Sequence, residues 1–265
     1  MLNSALALRA LGRQQFLDLV ELPNSPSAFE VLQRDVLRKI RQVGLTAAIQ
    51  QASKKVISRL QHRARETAVA DEFDSIYGTD TAAMLSVGAL DVPTSQLEHI
   101  NRYQTLPPGE ILAALRRLQL AHEQFVFIDV GCGKGRALLL ASLLPFREII
   151  GVEISKRLVA VTNRNLELFR DGSQLCHSIR VVCADATNFD IPLAKLVFYF
   201  YNPFGKKLTK EVASRIEDSL RDAPRDVYVV YHQPVHREVW DGSSVFHCAY
   251  SSEECCIYEF RPTAR

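Results

Sequence analysis

The sequence predicts an α/β fold: a mostly parallel, doubly wound sheet that ends in an antiparallel hairpin and carries an N-terminal helical extension. Three observations predict it. Between Phe125 and His232, short runs apolar on both faces alternate with stretches of helical periodicity, as in parallel strands covered on both sides and joined by crossovers. The last two strand-like runs are too close together for a crossover, so they pair antiparallel. Ahead of residue 71, apolar positions such as Ile49, Ala52, Val56 and Leu60 recur every three or four residues, on one helical face.

The elements follow in order. The prolines of Leu22–Pro26 make a loop, and Ser27 stands three residues before Glu30, a capping box that opens a helix to about Val43. Gly44 ends it, and a second helix runs from Thr46 to about Thr67. Residues 71–108 read as irregular, and a short helix spans Gly109–Leu118. Strands are expected at Phe125–Val130, Ile149–Glu153, Ile179–Cys183, Leu196–Tyr201 and Val227–His232. Helices Gly135–Leu144, Ser155–Arg170 and Leu208–Leu220 lie between them, and Val245–Tyr250 with Cys256–Arg261 form the closing hairpin. The expected organisation is a helical, basic extension or cap at 1–70, a lid or linker at 71–118 and the α/β domain at 119–265.

At 265 residues, with 47% hydrophobic and 23% charged content, the chain has globular composition and room for one sizeable domain with an appendage. The longest apolar stretch, Ala137–Phe146, is half the roughly 20 residues a membrane span needs, so no span is expected. Six cysteines without metal-ligand spacing read as reduced, mostly buried thiols of a cytoplasmic protein, and scattered histidines give no metal site. His232 could face the site as a base, but it and His236 read more readily as loop residues around Pro234. Up to Ala70 there are eleven basic and five acidic residues, +6, which leaves −4 of the overall +2 for the rest. The basic stretch at 34–65 could therefore meet nucleic acid or another anionic partner, or be an ordinary solvated helical face.

Chemistry is expected beyond the carboxyl ends of the strands, where open α/β sheets bind ligands. Strand one ends in Asp129-Val-Gly131-Cys-Gly133-Lys-Gly135, a turn that admits a close ligand. Strand two ends in Glu153, 24 residues after Asp129, at the distance of an acid that grips ribose hydroxyls. Strand three ends in Ala184-Asp185-Ala186 and strand four in Asn202-Pro203-Phe204-Gly205. Arg136 stands where dinucleotide and phosphate loops need glycine, and Asp129 would repel a pyrophosphate. A nucleotide-dependent oxidoreductase is thereby disfavoured, as the second hypothesis; a non-catalytic cofactor-binding protein is the third.

Phe125–Ser142 resembles the nucleoside-binding motif of class I, seven-strand, Rossmann-like S-adenosylmethionine-dependent methyltransferases. The resemblance implies S-adenosyl-L-methionine as cofactor, with Asp129 at its amino-acid end, Gly131, Gly133 and Gly135 beneath it, Glu153 on the ribose, and Asp185 and Ala186 by the adenine. Asn202-Pro203-Phe204 is similar to the N-P-P-[YF] motif of amino-methylating members, with one proline fewer. It implies that Asn202 and a backbone carbonyl hold the target amine while Phe204 stacks. The same segment is also similar to the strand-four end of non-SET protein lysine methyltransferases. These carry a Tyr-containing lid, for which Tyr103, 26 residues before Asp129, and Tyr77–Thr81 are the candidates. The acceptor expected from these likenesses is an amino nitrogen, of a protein lysine or small amine first, with a small-molecule or RNA acceptor as the alternative. Oligomeric state is not legible.

Overall fold

The computed structural model describes residues 72–83, 90–92, 101 and 103–262, all within the unit Ala64–Arg265. The expected helices before residue 70, and with them the basic 34–65 stretch, lie outside the described residues. Elements α1 (Pro108–Arg117), β1 (Phe125–Val130), α2 (Arg136–Ala141), β2 (Glu148–Glu153), α3 (Lys156–Leu168) and β3 (Ile179–Cys183) come first. Then follow β4 (Lys195–Tyr201), α4 (Lys206–Asp222), β5 (Val227–His232), α5 (Glu238–Asp241), β6 (His247–Ser251) and β7 (Cys255–Phe260).

The seven strands are ordered β3-β2-β1-β4-β5-β7-β6. β1 to β5 are parallel, and β7 pairs antiparallel with both β5 and β6. The last strand in the chain thus sits inside the sheet. Because successive side chains leave a strand on opposite faces, each central strand feeds two cores. Phe127, Val197, Tyr199, Val230 and Ile257 join the one containing α1 and α2, whose Ile111, Leu115 and Leu138 are buried there. Ile128, Val130, Phe198, Phe200 and Tyr231 join the other, with Val212, Ile216 and Leu220 of α4 and Trp240 of α5. This double burial is why these strands read as unbroken apolar runs. The vicinal Cys255 and Cys256 are divided between the two cores in the same way, and all six cysteines are unpaired thiols.

Three differences from the sequence reading have local causes. Residues 72–77 are helical rather than irregular. Phe73 and Tyr77, four apart and so on one face, both pack against Phe169 at the end of α3. The second helix stops at Ala141, where the Ser142 hydroxyl turns back to the Leu139 carbonyl ahead of Pro145. His232 is no loop residue: it closes β5 and is buried, with Nδ1 2.9 Å from the Tyr199 hydroxyl. Among the described residues no helix is long and apolar enough to cross a membrane, and no group of metal-ligating side chains is found.

Candidate active site

The sheet order reverses between β1 and β4, and a cleft opens there over the carboxyl ends of β1, β2, β3 and β4. It brings together every residue expected there from the sequence except Gly135, which lies one turn further along: Tyr103, Asp129, Gly131, Gly133, Glu153, Asp185, Ala186, Asn202, Pro203 and Phe204 line it.

Asp129 is opposite Tyr199 in the β1–β4 register and only 4% exposed. No group among the described residues donates to its carboxylate, which borders the cleft. Burial, and then the charge of Glu153, raises its pKa well above the ordinary carboxylate range. A buried acid without a partner is costly, and a cationic ligand group in the cleft would relieve that cost. Glu153 is held differently. Its two oxygens accept the backbone N–H groups of Gly133 (3.0 Å) and Ser155 (2.9 Å), so the carboxylate is fixed in place. Burial raises its pKa against those hydrogen bonds. Asp185 is set by a local turn, Oδ1 accepting from the backbone (2.8 Å) and hydroxyl (2.7 Å) of Thr187.

The glycines between these acids are required by close approach. Gly131 donates to the Val152 carbonyl, and a Cβ on it would stand 2.8 Å from the Pro203 side chain. Gly133 has φ +55°, and a Cβ there would lie 2.2 Å from the Tyr103 ring. Tyr103 therefore lies directly on the turn, and its hydroxyl donates to the Thr81 carbonyl at 2.6 Å. Substituting Gly133 by Ala should displace Tyr103 and force a left-handed residue, at about 1–2 kcal/mol for the backbone alone. We expect a lower melting temperature and weakened cofactor binding by calorimetry, and wild-type values for both would show that the Tyr103 contact is dispensable.

The structure explains why Arg136 replaces a glycine. Arg136 is 2% exposed; its Nε donates to the Thr81 hydroxyl at 2.6 Å, and its guanidinium lies 3.4 Å from Asp74 and over the Phe73 ring. Lys134 pairs with Asp80 at 2.6 Å. Asn165 of α3 bonds the backbone of Asp80 on both sides, and the carbonyl of Lys134. The two cations of the turn thus bind residues 74–81 of the chain itself. Burial works to raise the Asp74 carboxyl, but hydrogen bonds from Thr81, Thr79 and Ala82 outweigh it and hold it low. Of the two lid candidates, Tyr103 meets the glycine turn. Tyr77 points its hydroxyl to Asp171 instead, and Thr81 is the residue of that segment that reaches Tyr103.

At the far end of the cleft, Asn202 follows β4 in the left-handed region at φ +40°, a conformation Asn tolerates better than most residues. Its carbonyl accepts from Asn101 Nδ2 at 2.7 Å, and the Pro203 carbonyl accepts the Asn101 N–H at 3.0 Å. Its Oδ1 accepts from the Tyr231 hydroxyl at 3.3 Å. Phe204 is 9% exposed and belongs to the core shared with α4. It also lines the cleft, where the resemblance implied a stacking role.

The order β3-β2-β1-β4-β5-β7-β6, with a glycine turn after β1 and acids ending β1 and β2, is the seven-strand arrangement of class I S-adenosylmethionine-dependent methyltransferases, and this chain has that fold. Residues 123–215, β1 through most of α4, match the model of a family described as "Putative methyltransferase". No curated protein matches the chain in sequence. Among solved structures it is similar to a protein of Pyrococcus horikoshii described as a putative RNA methyltransferase, at 22% identity over 67% of this chain and 95% of that one, TM-score 0.46. It is also similar to an RNA methyltransferase of Salinibacter ruber in complex with S-adenosyl-L-homocysteine, at 17% identity over 59% and 92%, TM-score 0.42.

The residues of the cleft fit S-adenosyl-L-methionine, the cofactor that the resemblance implied. The Asp129 carboxylate, with no donor among the described residues, suits an ammonium, Gly133 adds no side chain of its own to the turn, and Glu153 is fixed as an acceptor for hydroxyl donors.

Proposed function

We propose that the chain methylates an exocyclic amino nitrogen of a nucleobase, with Asn202 orienting the amine, in place of the protein lysine that the resemblance suggested first. The observation that carries the reading is Tyr199, which lines the cleft, together with His232, hydrogen-bonded to it. His232 is pushed down to about 4 by burial, and burial raises the phenol of its partner Tyr199 well above its usual range. Both stay neutral across physiological pH. They offer hydrogen bonds and take up no proton, which suits an acceptor that arrives unprotonated. A nucleobase amine does so; a lysine ammonium, at about 10.4, does not. The +6 segment ahead of Ala70 gives the chain a complement to a phosphate backbone, and the unpaired cysteines suit a cytoplasmic setting.

The bound cofactor supplies an activated methyl on a sulfonium, so the protein's contribution is position rather than activation. Asp129 and Glu153 anchor the cofactor end of the cleft, and Gly131 places the cofactor turn against Pro203, next to the residue that meets the amine. Asn202 keeps one lone pair of Oδ1 after accepting from Tyr231, and that lone pair receives an N–H of the acceptor.

The test is transfer from methyl-labelled cofactor into cell extract, followed by separate digestion with ribonuclease, deoxyribonuclease and protease. Label released by a nuclease and recovered in a methylated base is expected; label recovered in lysine would overturn the nucleobase reading. Asn202→Ala should lower turnover by about 10²-fold or more, as a lost orienting contact does, with cofactor affinity nearly unchanged. Equal losses in turnover and cofactor affinity would place Asn202 in the cofactor pocket instead.

A further inference from the structure

The geometry points to Tyr231 as the positioning residue that fixes the sense of the Asn202 side-chain amide. This rests on the reading of Asn202 as the amine contact. An asparagine amide has an acceptor end and a donor end, and the two are exchanged by a half turn about the last side-chain bond. Only one sense offers an oxygen to an incoming N–H, so something must hold it.

Tyr231 is placed to do so. It lies one residue before the end of β5, 1% exposed, with its ring packed edge-on to Phe200 in the core shared with α4. The ring cannot swing away without opening that core. Its hydroxyl meets two partners, the His236 backbone N–H and Asn202 Oδ1, each at 3.3 Å. The N–H can only donate, so the hydroxyl oxygen accepts there. The single hydroxyl proton is donated to Asn202 Oδ1, and only the oxygen end of the amide can receive it. The chain from His236 to Asn202 therefore has one direction. Burial pushes the Tyr231 phenol up to about 12, so it remains a donor at neutral pH. The Asn202 backbone is fixed independently, by its left-handed φ and by Asn101 on its carbonyl. The side-chain torsion is the freedom that remains, and Tyr231 removes it.

The first test needs no acceptor. In the full chain labelled with ¹⁵N-asparagine, the Asn202 side-chain NH₂ signal is identified by its loss in Asn202→Ala. With Tyr231→Phe, its order parameter should fall from a rigid value to below about 0.6, while backbone asparagine signals keep theirs. An unchanged NH₂ signal would overturn the proposal. Should Tyr231→Phe fail to fold, His236→Pro removes the N–H that directs the hydroxyl and leaves the ring in place, with the same loss of order expected.

The second test uses the acceptor found above. Tyr231→Phe should lower kcat at least tenfold and leave cofactor affinity within about twofold, since the contact is to an orienting group. The Tyr231→Phe/Asn202→Ala double variant should be no slower than Asn202→Ala alone. Losses that multiply in the double variant would assign Tyr231 a separate, structural role. If Asn202→Ala itself turned over at the wild-type rate, the reading of the acceptor site would fail, while the NMR result would still decide the fate of Tyr231.

Discussion

Asp129→Asn should cost the protein most of its affinity for S-adenosylmethionine while making the cofactor-free chain more stable. The carboxylate is buried, accepts no hydrogen bond from the described residues and faces the cleft. The proposed ammonium of the cofactor would be a strong partner that none of the described residues supplies. Exchanging a charge-assisted bond for a neutral one should remove about 1.5–3 kcal/mol, or roughly 10- to 150-fold in affinity. The pH dependence follows from the direction of the shift. Burial raises the Asp129 pKa in the free protein, and a bound cation favours the ionised form. Affinity should therefore fall as pH drops below that raised value, and binding should release a proton there. Calorimetry in buffers of different ionisation heat measures this directly. The same shift bears on stability. Between the ordinary carboxylate pKa and the raised one, the native state binds more protons than the unfolded state, so stability declines as pH rises through that window. The Asp129→Asn variant has no such decline, and its advantage in melting temperature should grow with pH. A variant that binds the cofactor normally, or melts lower throughout, would remove Asp129 from its proposed place.

The second large effect is on the fold around the glycine turn. Arg136→Met removes a fully buried guanidinium that bonds Thr81, faces Asp74 and covers Phe73. Asp74 is left behind with hydrogen bonds but without its cation. Breaking one side of a buried pair costs about 3–5 kcal/mol. The retained bonds from Thr79, Thr81 and Ala82 put this case at the lower end. At roughly 2–4 °C per kcal/mol for a domain of this size, the melting temperature should fall by about 6–12 °C. Cofactor binding should weaken with it, since residues 74–81 and Tyr103 are tied together through Thr81. Because Asp74→Asn removes the stranded charge, the double variant should lose less than the sum of the two single ones. Wild-type stability in Arg136→Met would mean that residues 72–83 contribute little to holding the turn.

The acids and glycines of the site were legible because each ends a strand, and strand ends in a doubly wound sheet converge whatever the rest of the chain does. Asp129, Glu153 and Asp185 needed only correct strand boundaries to be placed in one cleft. The partners of Arg136 were not legible. Asp74 and Thr81 lie 62 and 55 residues before it, and no local pattern joins them. One signal was available: Thr162 and Asn165 occupy the stripe of α3 that also buries Leu158. Two polar residues on a buried face require polar partners, which here are Gly133, Lys134 and Asp80.

The sequence by itself determined the sheet and the switch point, because apolar periodicity sets strand direction and strand direction sets where acids and glycines meet, while the cofactor was implied by the resemblance. Only the tertiary structure decided what each polar side chain is free to do. It turned Lys134 and Arg136 inward to residues 74–81, placed Tyr103 on the glycine turn, took most of Phe204 into the core and set Tyr231 against Asn202. Those outcomes depend on distances between residues far apart in the chain. A hydrogen bond acts over about 3 Å, and sequence spacing carries no information at that scale once the chain has folded back on itself.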